Sequence, residues 1–316
     1  MSESSKRRSV RSPLAEQSIA ILGAGGLGGA FAAAFQKKGL RIAAILSANE
    51  QSAKRLARQV HCHFATTDIE KLPDEISLLI IAVPDDVIKG LAEAIAARAP
   101  LHFRSLTALH TSGALSSDAL QPLRKRGADV GSIHPLQMFP KSQVLKERAE
   151  RLFGIPFTIE GTKRATLIAR QIVQLFRGRA IAITREKKPL YHAAAVFASN
   201  YLITTLSAAN EVLRASIGKP EKIFEPIVRS AIQTALLTSP EEALTGPIER
   251  GDAATVQRHL QALTGSLPHL VPLYVVLGME TVRIAAQKGS LDEKQMTDLL
   301  KLFIQAISAE KIKSSR

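Results

Sequence analysis

The chain has 316 residues, 46% hydrophobic and 22% charged, with a formal net charge of +14, one cysteine and no tryptophan. That length allows two domains with a sizeable core. No apolar run approaches the ~20 residues of a membrane helix, the lone Cys62 excludes an internal disulfide framework and suits a reducing cytoplasm, and basic residues scattered among few aromatics offer no base-stacking platform for a specific nucleic acid.

Residues 1–17 are rich in Ser and Arg, lack the apolar stretch of a secretory signal and read as a disordered basic tail. The apolar run Ile19-Ala20-Ile21-Leu22 then meets Gly23-Ala24-Gly25-Gly26-Leu27-Gly28 and an Ala-rich helix over 28–38. Strand, glycine turn and helix are the setting that the dinucleotide fingerprint G-x-G-x-x-G requires. Gly23 permits the sharp turn, Gly25 admits a pyrophosphate to the backbone, and Gly28 lets helix lie on strand. The helix N-terminus presents unpaired N–H groups to the phosphates.

A second strand spans 41–46. The residue beyond it discriminates between nicotinamide cofactors: an acid binds the ribose hydroxyl of NAD, whereas a small polar residue with a nearby cation accepts the 2′-phosphate of NADP. Here Ser47-Ala48-Asn49 stand at that place, with Lys54 and Arg55 one turn into the next helix, which favours NADP; Glu50 is the dissenting residue. Val60 to Phe64 reads as a short third strand. His61, Cys62 and His63 within it suggest zinc, but alternation sends the histidines and the cysteine to opposite faces and no second ligand cluster follows, so no metal site is expected.

Ile76 to Val83 reads as a strand buried on both faces, with a helix over 87–98 behind it. Val83 and Pro84 then border the cofactor's nicotinamide ribose. Further strands are expected at 105–109 and 129–133, separated by a short helix over 117–125, and the pair ends in His110-Thr111-Ser112-Gly113 and His134-Pro135-Leu136-Gln137. Histidines at the carboxyl ends of strands suit proton chemistry, though each could instead hold a neighbouring loop. Strands at 157–159 and 180–183 flank a helix over 163–176 and extend the sheet.

Beyond Thr184 the alternation stops and the signal is helical, placing a domain boundary near residue 185. A long helix begins around Pro189, with Lys188, His192, Val196 and Asn200 recurring every four residues on one stripe. Its polar members need partners, which a substrate or the chain itself can supply. Thr245 and Arg250 lie in a loop before a helix capped by Asp252 and could face a carboxylate.

Taken together, the Gly23–Gly28 fingerprint, Ala82-Val83-Pro84-Asp85, His110 to Gly113, His134 to Gln137, Tyr191-His192-Ala193-Ala194-Ala195 with Ser199-Asn200, and Leu244 to Pro247 with Arg250-Gly251-Asp252 resemble Rossmann-like proteins carrying a C-terminal helical domain of unknown function. That family is grouped with deazaflavin-dependent NADP oxidoreductases, pyrroline-5-carboxylate reductase, ketopantoate reductase and the phosphogluconate dehydrogenase superfamily. The resemblance implies an α/β chain: a Rossmann-type doubly wound parallel sheet over 18–184 followed by an all-α substrate and dimerisation domain over 185–312. It implies an NADP-linked cytoplasmic reductase, often homodimeric. In the hydroxyacid members a lysine and an asparagine four residues later carry catalysis; here the residue four after Lys188 is His192, and Asn200 lies two turns further on.

The expected function is reduction by NADPH of a small anionic carbonyl or imine, a 2-keto acid such as ketopantoate being favoured by family analogy. His134 or His192 would donate the proton, with Asn200 orienting substrate, Ser112 nearby, and His110, Thr245 and Arg250 toward its carboxylate. The alternatives are a pyrroline-5-carboxylate-type imine reductase, a deazaflavin–NADP oxidoreductase and a non-catalytic NADP-binding regulator.

Overall fold

The computed structural model describes residues 13–140, 144–218 and 223–314, which form two compact units dividing after Asn200. Most of the expected N-terminal tail lies outside the described residues. Its last part is not a tail: Pro13–Glu16 forms a 3-10 turn, and Leu14, 2% exposed, joins the core.

The first unit alternates β1 (Ile19–Leu22), α1 (Gly26–Lys37), β2 (Ile42–Leu46), α2 (Glu50–Gln59), β3 (Ala65–Thr66), β4 (Leu78–Ile81), α3 (Asp85–Arg98), β5 (Thr107–His110), α4 (Gln121–Lys125), β6 (Asp129–Pro135), α5 (Leu145–Glu150), β7 (Pro156–Gly161), α6 (Lys163–Leu175), β8 (Arg179–Ala182) and α7 (Lys188–Val196). The sheet runs β3-β2-β1-β4-β5-β6-β7-β8. Its first six strands have the dinucleotide-binding order, with the topological switch between β1 and β4. Every residue of β1 and β4 is buried, as expected of apolar central strands covered on both faces. On one face Phe31 and Phe35 of α1 pack with Phe157 and Phe176; on the other Ile88, Ala92 and Ile95 of α3 pack with Leu22, Leu79 and Ile81.

Two strand expectations need correction. Val60 to Phe64 is not a strand: Val60 is the C-cap of α2, His61 adopts φ 55°, and pairing with β2 begins only at Ala65. Burial of Val60 and Cys62 explains the misleading apolar signal, and the alternation argument about His61 and His63 does not apply there. In addition β7 lies antiparallel to β6, with Ile133 opposite Ile159. The segment joining them leaves and re-enters the sheet at one edge, so no parallel crossover is made. The expected boundary near residue 185 marks the end of the strand–helix alternation, but α7 clusters with the sheet, tied to it by the buried Lys188.

The second unit is helical: α8 (Leu202–Ile217), α9 (Glu225–Leu237), α10 (Pro240–Ala243), α11 (Ala253–Ser266), α12 (Val271–Lys288) and α13 (Glu293–Ser314). Its core joins Val256 and Leu260 of α11, Val275 and Val282 of α12, and Leu299 and Phe303 of α13. Pro268–Lys288 is, contrary to expectation, long and apolar enough to cross a membrane by length and composition. Its stripe of Val271, Val275, Gly278, Val282 and Ala285 is instead buried in this core.

Candidate active site

At the nucleotide end, Gly23 and Gly28 each answer to a measurable constraint. Gly23 has φ +107°, and a side chain on it would meet the Ala82 carbonyl at 2.2 Å and Val83 at 3.2 Å. A methyl on Gly28 would lie 1.8 Å from the Gly23 carbonyl, so α1 could not approach the turn. Gly25, the N-cap of α1, faces open space, with no atom within 4 Å of where its Cβ would stand. That open cradle at a helix N-terminus fits a pyrophosphate.

A cavity of about 550 Å³ extends from the cradle along Ala24, Gly25, Gly26, Ser47, Arg55 and Arg148. Of the other residues expected here, Asn49 caps α2 by accepting from Ser52 N–H at 2.8 Å, Leu27 packs on the core, and Pro84 caps α3. The rival signals neutralise each other: Glu50 pairs with Lys54 at 2.7 Å on an exposed face, leaving Arg55 toward the cavity.

At the other end, β5 delivers His110 and the loop after it. His110 is fully buried; its Nδ1 accepts from Ser112 N–H at 3.2 Å, so Nε2, 3.0 Å from the Ser116 carbonyl, donates. Burial, then the charge on Lys188, push its pKa down to about 3. The Ser112 hydroxyl donates to Asp85 Oδ2 at 2.7 Å and accepts from Ala114 and Leu115 N–H groups at 3.1 and 2.9 Å. The expected ligand-facing roles of His110 and Ser112 are therefore corrected: His110 spends its ring nitrogens on the loop itself, and Ser112 its hydroxyl on that loop and on Asp85 at the start of α3.

Lys188, at the start of α7, is 0% exposed. Its ammonium donates to the Ser112 carbonyl at 3.2 Å and to Ser132 Oγ at 2.9 Å, which ties β5 to β6. Burial lowers its pKa to about 8 against the opposing pull of Glu160 and Asp85. Glu160 is itself buried, accepting from the Ser117 N–H and hydroxyl at 2.7 and 2.6 Å, with Arg185 Nε 3.3 Å away. Sequence reasoning assigned no role to Glu160; a charged residue within β7's apolar alternation was its only signal.

The two remaining histidines converge on Gly113. A methyl there would stand 2.6 Å from His192 Nδ1 and 2.9 Å from His134 Nε2. Their rings lie edge to face with centroids 6.0 Å apart. His134 Nδ1 is 3.0 Å from the Tyr191 hydroxyl, a contact that the sequence reading missed although Tyr191 adjoins His192. Burial first, then Lys188 and His192, lower the His134 pKa to about 4. His192 Nδ1 is buried with no hydrogen-bond partner among the described residues. A cavity of about 750 Å³ opens beside them, lined also by Gln137, Ser199 and Asn200.

Asn200 does not continue a regular α-helical stripe, because α7 passes into a π turn at Phe197–Tyr201. It is exposed, with its Oδ1 2.9 Å from Ser199 Oγ. Thr245 and Arg250 are exposed in the second unit, on a loop turned by Gly246 at φ +112°, and Asp252 caps α11 as expected. Among the described residues no three His, Cys, Asp or Glu side chains are grouped to hold a metal ion.

Strand order, glycine cradle and helical second unit define a Rossmann-type α/β chain with an all-α C-terminal domain, the fold of NAD(P)-dependent oxidoreductases. The family described as "Rossmann-like domain" matches residues 1–135, and that described as "Domain of unknown function (DUF2520)" matches residues 155–281. The chain thus carries a Rossmann-like domain followed by a DUF2520 domain. Among solved structures it is similar to a "putative NADP oxidoreductase" from Bacteroides fragilis, at 25% identity and a TM-score of 0.73 over 85% of this chain and 99% of that one. A Thermotoga maritima protein matches at 25% identity with a TM-score of 0.63 over the same shares. A reductive aminase from Aspergillus terreus, in complex with NADPH and ethyl-5-oxohexanoate, shares the fold at 15% identity and a TM-score of 0.55, over 93% of this chain and 94% of that one. No curated protein matches the chain.

Proposed function

We propose that the protein is an NADPH-dependent reductase of a small carbonyl or imine compound, with His192 as the proton donor. The observation that carries this reading is the meeting of two imidazoles over Gly113 beside an open cavity, with His192 Nδ1 lacking a partner among the described residues. The cradle at Gly25, with Ser47 and Arg55 beyond it, fits the phosphates of NADP(H), and the B. fragilis relative supports that choice. NADPH, when bound, supplies the hydride.

The chain must then supply a proton to the substrate oxygen or nitrogen as the new C–H bond forms. His134 is poorly suited, because burial near Lys188 keeps it neutral far below physiological pH, and its Nδ1 is engaged by Tyr191. Its role is to fix the position of Tyr191 and the wall of the cavity. His192, with an unclaimed nitrogen, delivers the proton, and Asn200 orients the substrate. A carboxylate-bearing 2-keto acid of the ketopantoate type is the favoured substrate, with pyrroline carboxylate second.

The test is NADPH oxidation with a panel of 2-keto acids and cyclic imines, followed by His192→Ala on the best substrate. Turnover should fall at least about 100-fold, the usual worth of a general acid, with NADPH affinity retained. Folded protein that gives no heat of binding with either pyridine nucleotide would refute the proposal, and binding without turnover would favour the regulator.

We also propose that the protein is a homodimer through its second unit. Neither α8 nor α9 has a single buried residue, yet they carry Ile203, Val212, Ile217, Ile227, Leu236 and Leu237 exposed. An apolar surface of this extent fits an association surface.

A further inference from the structure

The cofactor cavity holds a second guanidinium that no rule about β2 would find. Arg148 belongs to α5, in the connection between β6 and β7, more than ninety residues beyond Arg55. The helix α5 reaches the cavity because α1 carries glycine at position 29. A side chain there would meet Leu145 at 3.2 Å and Arg148 Nη1 at 3.7 Å. Seated in this way, Arg148 places Nη1 3.5 Å from the Gly26 carbonyl, beside the phosphate cradle.

Three observations show that Arg148 awaits an anion. Its Nε is buried with no hydrogen-bond partner among the described residues. Burial, and after it the charge of Arg55, lower its pKa, so the two guanidiniums feel each other. Among the described residues no carboxylate lines the cavity that they share; its other polar side chains are Ser47, Ser52 and Gln59. Two like charges facing one cavity without a counter-ion are unfavourable unless a ligand supplies it.

We propose that Arg148 is a specificity-determining residue: with Arg55 it clamps the 2′-phosphate of NADP(H), and it sets the preference for NADP(H) over NAD(H). A guanidinium suits this task through its fork of donors matched to phosphate oxygens. The ribose hydroxyl of NAD(H) offers neither guanidinium a charge. This inference rests on the chain's binding a pyridine nucleotide, which the wild-type titration below tests separately.

The experiment is calorimetric titration of the full chain and of Arg148→Gln with NADPH, NADH, adenosine 2′,5′-bisphosphate and 5′-AMP. The loss of one charge-assisted contact should weaken NADPH and the bisphosphate about 10- to 100-fold, while NADH and 5′-AMP move less than about twofold. Arg148→Lys, which keeps the charge but not the fork, should fall between for the 2′-phosphorylated ligands only. It decides the matter if thermal melting shows Arg148→Gln unfolded. Equal losses for NADPH and NADH, or no loss for either, would overturn the assignment and reduce Arg148 to packing of α5. Wild-type protein that binds neither nucleotide would overturn the proposed function along with it.

Discussion

Lowering the pH from about 7.5 to about 5 sets the first unit against its own unfolded chain, because the unfolded histidines take up protons that the buried ones refuse. His110 has a folded pKa of about 3 and His134 of about 4, against an ordinary value of 6.5. Above pH 6.5 each ring is neutral in both states and contributes no pH dependence. Below it the unfolded state binds the extra proton, so stability falls with pH until the folded pKa is reached. The slope is about 1.4 kcal/mol per pH unit per ring. Between about pH 6.5 and 5 each ring therefore removes about 2 kcal/mol, a large share of the roughly 5–15 kcal/mol that a domain holds. The assay is urea unfolding followed by circular dichroism at a series of pH values, for the wild type and His110→Asn. At pH 7.5 the variant should be less stable by about 1–3 kcal/mol, since Ser112 N–H and the Ser116 carbonyl lose their partner. Below pH 6 its curve should be shallower than the wild type's by about 1.4 kcal/mol per pH unit. Equal slopes would show that His110 protonates freely in the fold and that its burial has been misjudged.

The alkaline side tests Lys188 in the same way. Its folded pKa of about 8 lies below the ordinary 10.5, so wild-type stability should rise with pH across that window, and Lys188→Met should abolish the rise in urea titrations. Gly113→Ala should crowd His192 and His134 by several tenths of an ångström. About a 10- to 100-fold loss of kcat is expected from such misplacement, with NADPH affinity by calorimetry unchanged; an unaltered kcat would place the reacting atoms elsewhere. Light scattering on size-exclusion fractions should give a dimer, and Leu236→Glu, altering a side chain that is 80% exposed in the single chain, should give a monomer. A monomeric wild type would refute the association surface.

The sheet was legible because its central strands announce themselves. Four consecutive apolar residues at Ile19–Leu22 and at Leu78–Ile81 leave no polar face, and glycine or proline follows each run. The short edge strand was not legible, because Val60 and Cys62 bury apolar side chains from a turn, and burial rather than pairing produced the pattern. The direction of β7 was equally hidden, since strand composition does not record which edge the chain re-enters. At the site, residue types pointed to the loops that meet at Gly113 but did not separate the histidines atom by atom. His110, His134 and His192 look alike in sequence; the hydrogen bonds of His110 and the buried, unpartnered Nδ1 of His192 among the described residues separate them. Arg148 was invisible because its relevance comes from a short helix seated on Gly29.

The position of Lys188 bears on which histidine the proposed function assigns as proton donor. Its pKa is lowered to about 8, yet it is fully buried, with its ammonium turned to the Ser112 carbonyl and the Ser132 hydroxyl. A lysine so enclosed cannot hand its proton to a substrate without losing the bonds that tie β5 to β6. Its charge acts at a distance instead, adding to the burial that keeps His110 and His134 neutral. The residue four after Lys188 is His192, one helical turn along α7 and over Gly113. In the proposed function proton delivery falls to that imidazole, and the lysine is the cation that, after burial, lowers the pKa of His134. If this division holds, His192→Ala should abolish turnover without altering the alkaline stability profile, whereas Lys188→Met should alter both.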